Sequence, residues 1–257
     1  MQPNRRRLVH TAVGLALAGL LPRARADLPA LIAAAKPSVL PVGTYNATDS
    51  PRFGFRGTGF VVGDGTLVAT NFHVLPEGAE IDNGPVMMVM VSRTAEAGQL
   101  RRARVVATDR SRDLALLRIE GTALKPLRLG EPGAAREGQA VALMGFPIGG
   151  TLGFAAVTHR GIIASITTAA LPAATAQQLD PRALLRLREG NYELFQLDAT
   201  AYPGNSGGPL LDADTGQVLG IVNMVLVKGG RESALSNPTG ISYAVPVRHL
   251  HELLKGR

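Results

Sequence analysis

Gly204-Asn205-Ser206-Gly207-Gly208-Pro209, continued by Leu210-Leu211-Asp212-Ala213-Asp214-Thr215-Gly216 and the apolar run Val218–Val225, is the stretch on which the fold turns. A serine hemmed in by glycines lets backbone N–H groups converge near its hydroxyl, because only glycine tolerates the positive φ and close approach of such a turn. Taken alone, the six residues also fit a glycine-rich β-turn with no chemistry. Read as G-x-S-x-G, they form the sharp strand-to-helix elbow of an α/β sheet, which requires the order Ser, acid, His. Asp212 or Asp214 followed by His249 would supply that order. Here, however, Ser206 is followed by Pro209 and another strand, not by a helix. A turn between strands suits antiparallel barrels in which a His and an Asp precede the Ser.

Outward from this turn the pattern is uniform. Short apolar runs separated by Gly, Pro and Asp predict strands at Ser38–Val42, Gly57–Val62, Thr66–Asn71, Val86–Val91, Leu100–Thr108 and Leu114–Ile119. Six more are predicted at Ala140–Gly145, Gly153–Ser165, Tyr192–Asp198, Gly208–Leu211, Val218–Val225 and Ile241–Val245. Twelve short strands without intervening amphipathic helices indicate an all-β protein. The turn-rich Gly130-Glu131-Pro132-Gly133 divides them six and six, which predicts two six-stranded antiparallel β-barrels over about 38–128 and 136–246. Asp27–Lys36 reads as a short N-terminal helix closed by Pro37. Val247, Leu250, Leu253 and Leu254 fall on one face of a C-terminal helix over 247–255. Thr167–Gly190 is Ala/Leu-rich and departs from the strand pattern.

The chain has 257 residues, a formal charge of +7, 46% apolar residues and no Cys, so disulfide scaffolds, thiol catalysis and Cys-based metal sites are excluded. The positive charge invites a nucleic-acid reading, but it is unevenly spread. Residues 1–26 hold five arginines and no acid; the remainder carries 22 basic against 20 acidic residues. Their basic start, apolar stretch from Thr11 to Leu21 and Ala24-Arg25-Ala26 are the three parts of a secretory signal, with cleavage expected before Asp27. The apolar stretch is short for a bilayer anchor, which needs about 20 residues. Arg5-Arg6 fits a twin-arginine signal as well as general export. The expectation is an exported, periplasmic or secreted protein with no nucleic-acid partner and no stable membrane span after cleavage.

A serine hydroxyl needs a base and an orienting carboxylate to act as a nucleophile. Of five histidines, His10 lies in the signal, His249 and His251 face different sides of the terminal helix, and His159 falls at an expected hairpin in solvent. His73, in Thr70-Asn71-Phe72-His73-Val74, stands where a strand ends and a loop begins. Asp113 opens the apolar run Leu114–Ile119, where a partly buried carboxylate needs a partner such as an imidazole N–H. Asp109 is the nearby competitor, better suited to capping the turn Asp109-Arg110-Ser111.

The blocks Thr70–Val74, Asp113-Leu114-Ala115-Leu116-Leu117 and Gly204–Leu210 resemble the three catalytic blocks of trypsin-like serine proteases, most of all the bacterial high-temperature-requirement (HtrA/Deg-type) branch. Gly57-Thr58-Gly59-Phe60-Val61-Val62, Gly161-Ile162-Ile163-Ala164-Ser165, Val218-Leu219-Gly220-Ile221-Val222 and Gly240–Pro246 extend the likeness over roughly residues 37–255. The resemblance implies a chymotrypsin-like double barrel and a serine endopeptidase with a catalytic triad of His73, Asp113 and Ser206. It implies an oxyanion hole from the N–H groups of Gly204 and Ser206 with Asn205 close by. A substrate pocket is implied at Thr200, Ala201, Val222, Asn223, Met224, Ile241, Ser242 and Tyr243. It further implies polypeptide substrates, a role in protein quality control, and neither metal nor cofactor.

Departures from the family pattern carry information too. No acid stands where cleavage after Lys or Arg would need one, and no His where cleavage after Glu would. The digestive relatives carry an Asp immediately before the catalytic Ser, to pair with a new N-terminus; Asn205 cannot make that ion pair, so loop rearrangement is expected in place of propeptide activation. The chain reads as a protease domain without a PDZ domain. Trimers in the family use an N-terminal aromatic segment, for which only Tyr45 and Phe53 are available, so an oligomer is left open. A catalytically silent protease-fold chaperone or binding protein is the alternative function.

Overall fold

The computed structural model describes residues 27–79, 85–92, 99–147, 149, 153–168, 192–223 and 241–256. The expected signal over 1–26, the segment 169–190 and Met224 lie outside the described residues.

A short helix α1 (Leu28–Ala35) and a 3-10 turn (Lys36–Ser38) precede the first barrel. That barrel comprises β1 (Val39–Tyr45), β2 (Phe53–Val62), β3 (Leu67–Asn71), β4 (Met87–Ser92), β5 (Gln99–Asp109) and β6 (Leu114–Ile119). It closes in the order β1-β2-β3-β6-β5-β4. The second comprises β7 (Ala140–Gly145), β8 (Val157–Thr168), β9 (Glu193–Asp198), β10 (Pro209–Asp212), β11 (Val218–Asn223) and β12 (Ile241–Pro246), closed as β10-β11-β12-β9-β8-β7. All the strand pairings are antiparallel. Helix α2 (Val247–Lys255) follows directly from β12. The expected all-β double barrel with a helix at each end is the observed fold.

Two strand starts differ from the sequence reading by four residues; the others agree within one. β2 begins at Phe53, four residues before Gly57, because its ladder with β1 continues past a register shift to Tyr45↔Phe53. β8 begins at Val157 rather than Gly153, whose φ of +77° is incompatible with extended backbone.

The apolar runs are continuous where a strand has two buried faces. In β6, Ala115, Leu117 and Ile119 point into the first barrel with Leu40, Val61, Val68 and Val89. Leu114 and Leu116 point the other way, into a core between the barrels with Phe60, Leu67, Met144, Leu211, Ile221 and Val245. Alternation therefore sorts two apolar sets rather than core from solvent. The second barrel has its own interior around Leu143, Ile163, Phe195, Leu210 and Val222. Val247 and Leu250 of α2 complete the shared core, with Leu253 and Leu254 packed against it. Between the barrels the chain straps both: Leu127 N–H donates to Val61 O at 2.9 Å, and Gly130 N–H to Val218 O at 2.9 Å. This shared core fixes the end of β3, the start of β6 and the turn before β10 against one another.

Candidate active site

β3 ends at Asn71, and a 3-10 turn over Phe72–Val74 carries His73 out of the sheet. The register Asn71↔Leu114 sets the residue before β6, Asp113, beside that turn. Asp113 has φ +57°, the left-handed region that Asp tolerates better than most side chains. Its main-chain carbonyl accepts from Phe72 N–H at 3.1 Å and from Asn71 Nδ2 at 3.0 Å. Its Oδ1 accepts from His73 N–H at 2.8 Å, and its Oδ2 meets His73 Nδ1 at 2.6 Å. A carboxylate only accepts, so the network assigns the proton to Nδ1 and leaves Nε2 of the neutral ring with a lone pair. Side-chain exposures of 25% for His73 and 14% for Asp113 leave the imidazole reachable and the acid shielded.

Asp109 is occupied elsewhere. Its Oδ1 accepts from Ser111 Oγ at 2.6 Å and Arg112 N–H at 3.0 Å, and its Oδ2 from Arg112 at 2.9 Å. Burial pushes this carboxyl up, but the Ser111 and Arg112 hydrogen bonds together outweigh it and hold it below the usual carboxylate range. It is a turn cap.

The Ser206 loop can be read by accounting for its peptides. Asn205 N–H donates to Tyr202 O at 3.0 Å, and Gly208 N–H to Asn205 O at 2.9 Å. Thr58 Oγ1 donates to Gly204 O at 2.6 Å, and Thr58 N–H to Ser206 O at 2.8 Å. Gly207 N–H donates to Val222 O at 2.9 Å. Among the described residues, the N–H groups of Gly204 and Ser206 alone in the run 204–208 make no hydrogen bond. Asn205 N–H is spent on the turn.

Two glycines make the loop possible. Gly204 has φ +103°, and a Cβ there would land on Phe146 O and 3.2 Å from the Phe55 ring. Gly207 has φ +84°; its Cβ would overlap Thr58 O and Thr70 Oγ1 and lie 3.1 Å from Asn71 N. The Ser206 turn thus lies flat against β2 and the end of β3 that leads to His73. Ser206 itself is 5% exposed.

The residues expected to line a pocket fall into different roles. Asn223 turns to the acid, its Nδ2 donating to Asp113 Oδ2 at 2.9 Å. Val222 lies in the interior of the second barrel. Ser242 is buried and braces the stretch before Ser206, accepting from Ala201 N–H at 3.0 Å and donating to Ala199 O at 2.8 Å. Ala201 is buried, Thr200 and Tyr243 are half-buried, and Ile241 is exposed. Asn205 is fully buried, and both polar atoms of its side chain lack a hydrogen bond among the described residues.

His159 departs from its expected place in solvent. It sits within β8, its ring centroid 5.7 Å from that of Tyr202, and burial pushes its pKa down. His251 bonds Gly130 O at 2.9 Å, while His249 is buried against Glu252. Among the described residues no group of three or more His, Cys, Asp or Glu could hold a metal. Sequence reasoning missed Thr58 altogether; its signal was a lone polar residue in the otherwise apolar and glycine strand Gly57–Val62.

Comparison with known proteins gives a family match, two relatives and two solved structures. Residues 57–221 match the family model described as a trypsin-like peptidase domain. A probable periplasmic serine endoprotease, DegP-like, of Pseudomonas fluorescens is 30% identical over 192 residues, covering 74% of this chain and 32% of that protein. The mitochondrial serine protease HTRA2 of Drosophila grimshawi is 33% identical over 200 residues, covering 78% of this chain and 38% of that protein. The chain thus spans about a third of the length of these relatives. Two solved structures share the fold. A variant of the HtrA-type protease AlgW with tripeptide superposes with TM-score 0.62 at 24% identity, covering 89% of this chain and 62% of that one. An inactive form of Rv3671c from M. tuberculosis H37Rv gives 0.60 at 23%, covering 91% and 92%.

Proposed function

We propose, proceeding from the fact that this chain belongs to the trypsin-like peptidase family, that it is an exported serine endopeptidase acting on unfolded or extended polypeptides. The observation that carries the reading is the pairing of two features where the Ser206 turn packs against the end of β3. His73 is held by Asp113 through both its ring and its main-chain N–H, and the Ser206 turn keeps the Gly204 and Ser206 N–H groups unspent.

In this reading Ser206 Oγ attacks the carbonyl carbon of the scissile peptide while His73 Nε2 takes its proton. The developing oxyanion is met by the Gly204 and Ser206 N–H groups, donors of a kind worth about 10²–10³ in kcat each. Collapse expels the amine, which leaves with the proton held on His73. Water then attacks the acyl-enzyme with His73 again as base, releasing the acid and restoring Ser206. Asp113 holds the ring in the tautomer with Nδ1–H and stabilises the imidazolium formed in each half-reaction. This chain's own residues supply every proton transfer in the cycle.

Export rests on residues 1–26, and the similarity to a probable periplasmic protease of Pseudomonas agrees with it. Family resemblance suggests small aliphatic residues before the scissile bond and a part in protein quality control. Digestion of casein by residues 27–257, with Ser206→Ala alongside, tests the activity. The endopeptidase reading requires cleavage by the unsubstituted chain and none by the variant. If neither cleaves and both suppress aggregation of an unfolded client, the chain is a protease-fold binding protein instead.

A further inference from the structure

We propose that Thr58 is a positioning residue for this reaction, its hydroxyl holding the Gly204 carbonyl and so the turn on which the Gly204 and Ser206 N–H groups face the substrate carbonyl. The inference rests on Ser206 being the nucleophile and extends it to a residue of the other barrel.

Thr58 lies in β2 of the first barrel and is fully buried. A threonine hydroxyl has one proton to give and lone pairs to receive. Here the proton goes to Gly204 O at 2.6 Å, and Phe146 N–H donates to the oxygen at 3.1 Å. The main chain of the same residue donates to Ser206 O at 2.8 Å, and its carbonyl accepts from Thr70 Oγ1 at 2.7 Å. One residue therefore holds the two carbonyls that flank Asn205. With Asn205 O held by Gly208 N–H, the three peptide planes from Gly204 to Gly207 are fixed; the middle one carries the free Ser206 N–H, and the first pins the Cα from which the free Gly204 N–H projects.

The hydroxyl is required where a methyl would fill the same space. Valine at this position keeps the shape but takes the hydroxyl donor away from the buried Gly204 carbonyl, which favours rotation of the Gly204–Asn205 peptide towards another donor. The donors so displaced act on an oxyanion that exists only in the transition state, so the loss belongs in kcat rather than KM.

The test compares Thr58→Val, Thr58→Ser and Ser206→Ala in the chain 27–257, with rates on a fluorogenic casein-derived peptide expressed per folded molecule from circular dichroism. Thr58→Val is expected to lower kcat about 10- to 100-fold, less than outright removal of an oxyanion donor. KM should stay within about twofold and Thr58→Ser within about threefold of the unsubstituted kcat, a split that a general loss of folding would not produce. If Thr58→Val does not fold, Thr58→Ala, which admits water to the site, is measured in its place with the same expectation. The proposal is overturned if the hydroxyl-free variant keeps its kcat, if KM rises with kcat unchanged, or if Thr58→Ser loses as much as the hydroxyl-free variant. A Ser206→Ala protein that still hydrolyses the peptide would overturn the nucleophile assignment itself. An inert Ser206→Ala beside a fully active hydroxyl-free variant would remove the role of Thr58 alone.

Discussion

Asn223, the last residue of β11, donates from Nδ2 to Oδ2 of Asp113 at 2.9 Å across the two barrels. The same carboxylate oxygen faces His73 Nδ1. The second barrel thus reaches past its own serine turn and completes the coordination of an acid that belongs to the first. Hydrogen bonds to charged groups are worth about 1.5–3 kcal/mol, and a shielded carboxylate that loses one is free to swing from its partner. Asn223→Ala should lower kcat/KM about 10- to 100-fold with the fold retained. Steady-state kinetics beside a thermal melt checks this; an unchanged kcat/KM would reduce Asn223 to a packing residue.

Asp113 combines a charge with a left-handed backbone, and two substitutions separate them. Asn adopts φ +57° readily and keeps a side chain of the same shape, so Asp113→Asn should fold normally while losing about 10⁴-fold in kcat through the wrong imidazole tautomer. Alanine is strained at that φ, so Asp113→Ala should lose a further stability increment of roughly 1–3 kcal/mol. Denaturant melts of the two variants distinguish the contributions. Equal stability would mean the turn relaxes without cost.

Asn205 is fully buried, with no hydrogen bond to its side chain among the described residues. Asn205→Asp would set a charge there without a partner and should destabilise the protein by roughly 3–5 kcal/mol at neutral pH. The penalty arises from ionisation, so it should shrink as pH falls towards the ordinary Asp value of about 3.9. Melting temperatures across that range test it. A variant as stable as the parent at neutral pH would show that a cation or N-terminus reaches this position.

His249 on α2 packs against Tyr192, with Glu252 on one side and Arg248 and Arg112 near it. Burial pushes its pKa below the ordinary His range; the Arg112 and Arg248 charges act in the same direction, and the Glu252 hydrogen bond and charge oppose them. The folded state then binds fewer protons than the unfolded chain. Stability is flat well above the unfolded value of about 6.5 and declines as pH falls through it towards the lower folded value. His159 contributes with the same sign. His249→Gln should therefore flatten the slope of melting temperature between about pH 7 and 5, leaving the His159 part. Parallel curves for the two proteins would remove His249 as a source.

The blocks around His73, Asp113 and Ser206, and the twelve strands, were legible because each is a local pattern: apolar alternation, a strand end, glycines about a serine. The core between the barrels made β6 and β11 read as unbroken apolar runs, which helped to find them without showing what they face. The family resemblance set Asn223 in a pocket, and nothing near it in the sequence points to Asp113, its partner 110 residues away. Thr58 was silent for the same reason, since Gly204 is 146 residues from it. His159 reads as a hairpin residue in sequence, but it pairs with Leu143 inside the β7–β8 ladder. Contacts between barrels are set by packing, and no periodicity within a strand encodes them.

Every step of the proposed reaction depends on Ser206 being a nucleophile activated by His73. Treating residues 27–257 with a fluorophosphonate probe and mapping the adduct by peptide mass spectrometry tests it most directly. A single adduct on Ser206 is expected, formed far more slowly in His73→Ala and absent in Ser206→Ala. Labelling that persists in Ser206→Ala, or that maps to another residue, would contradict it.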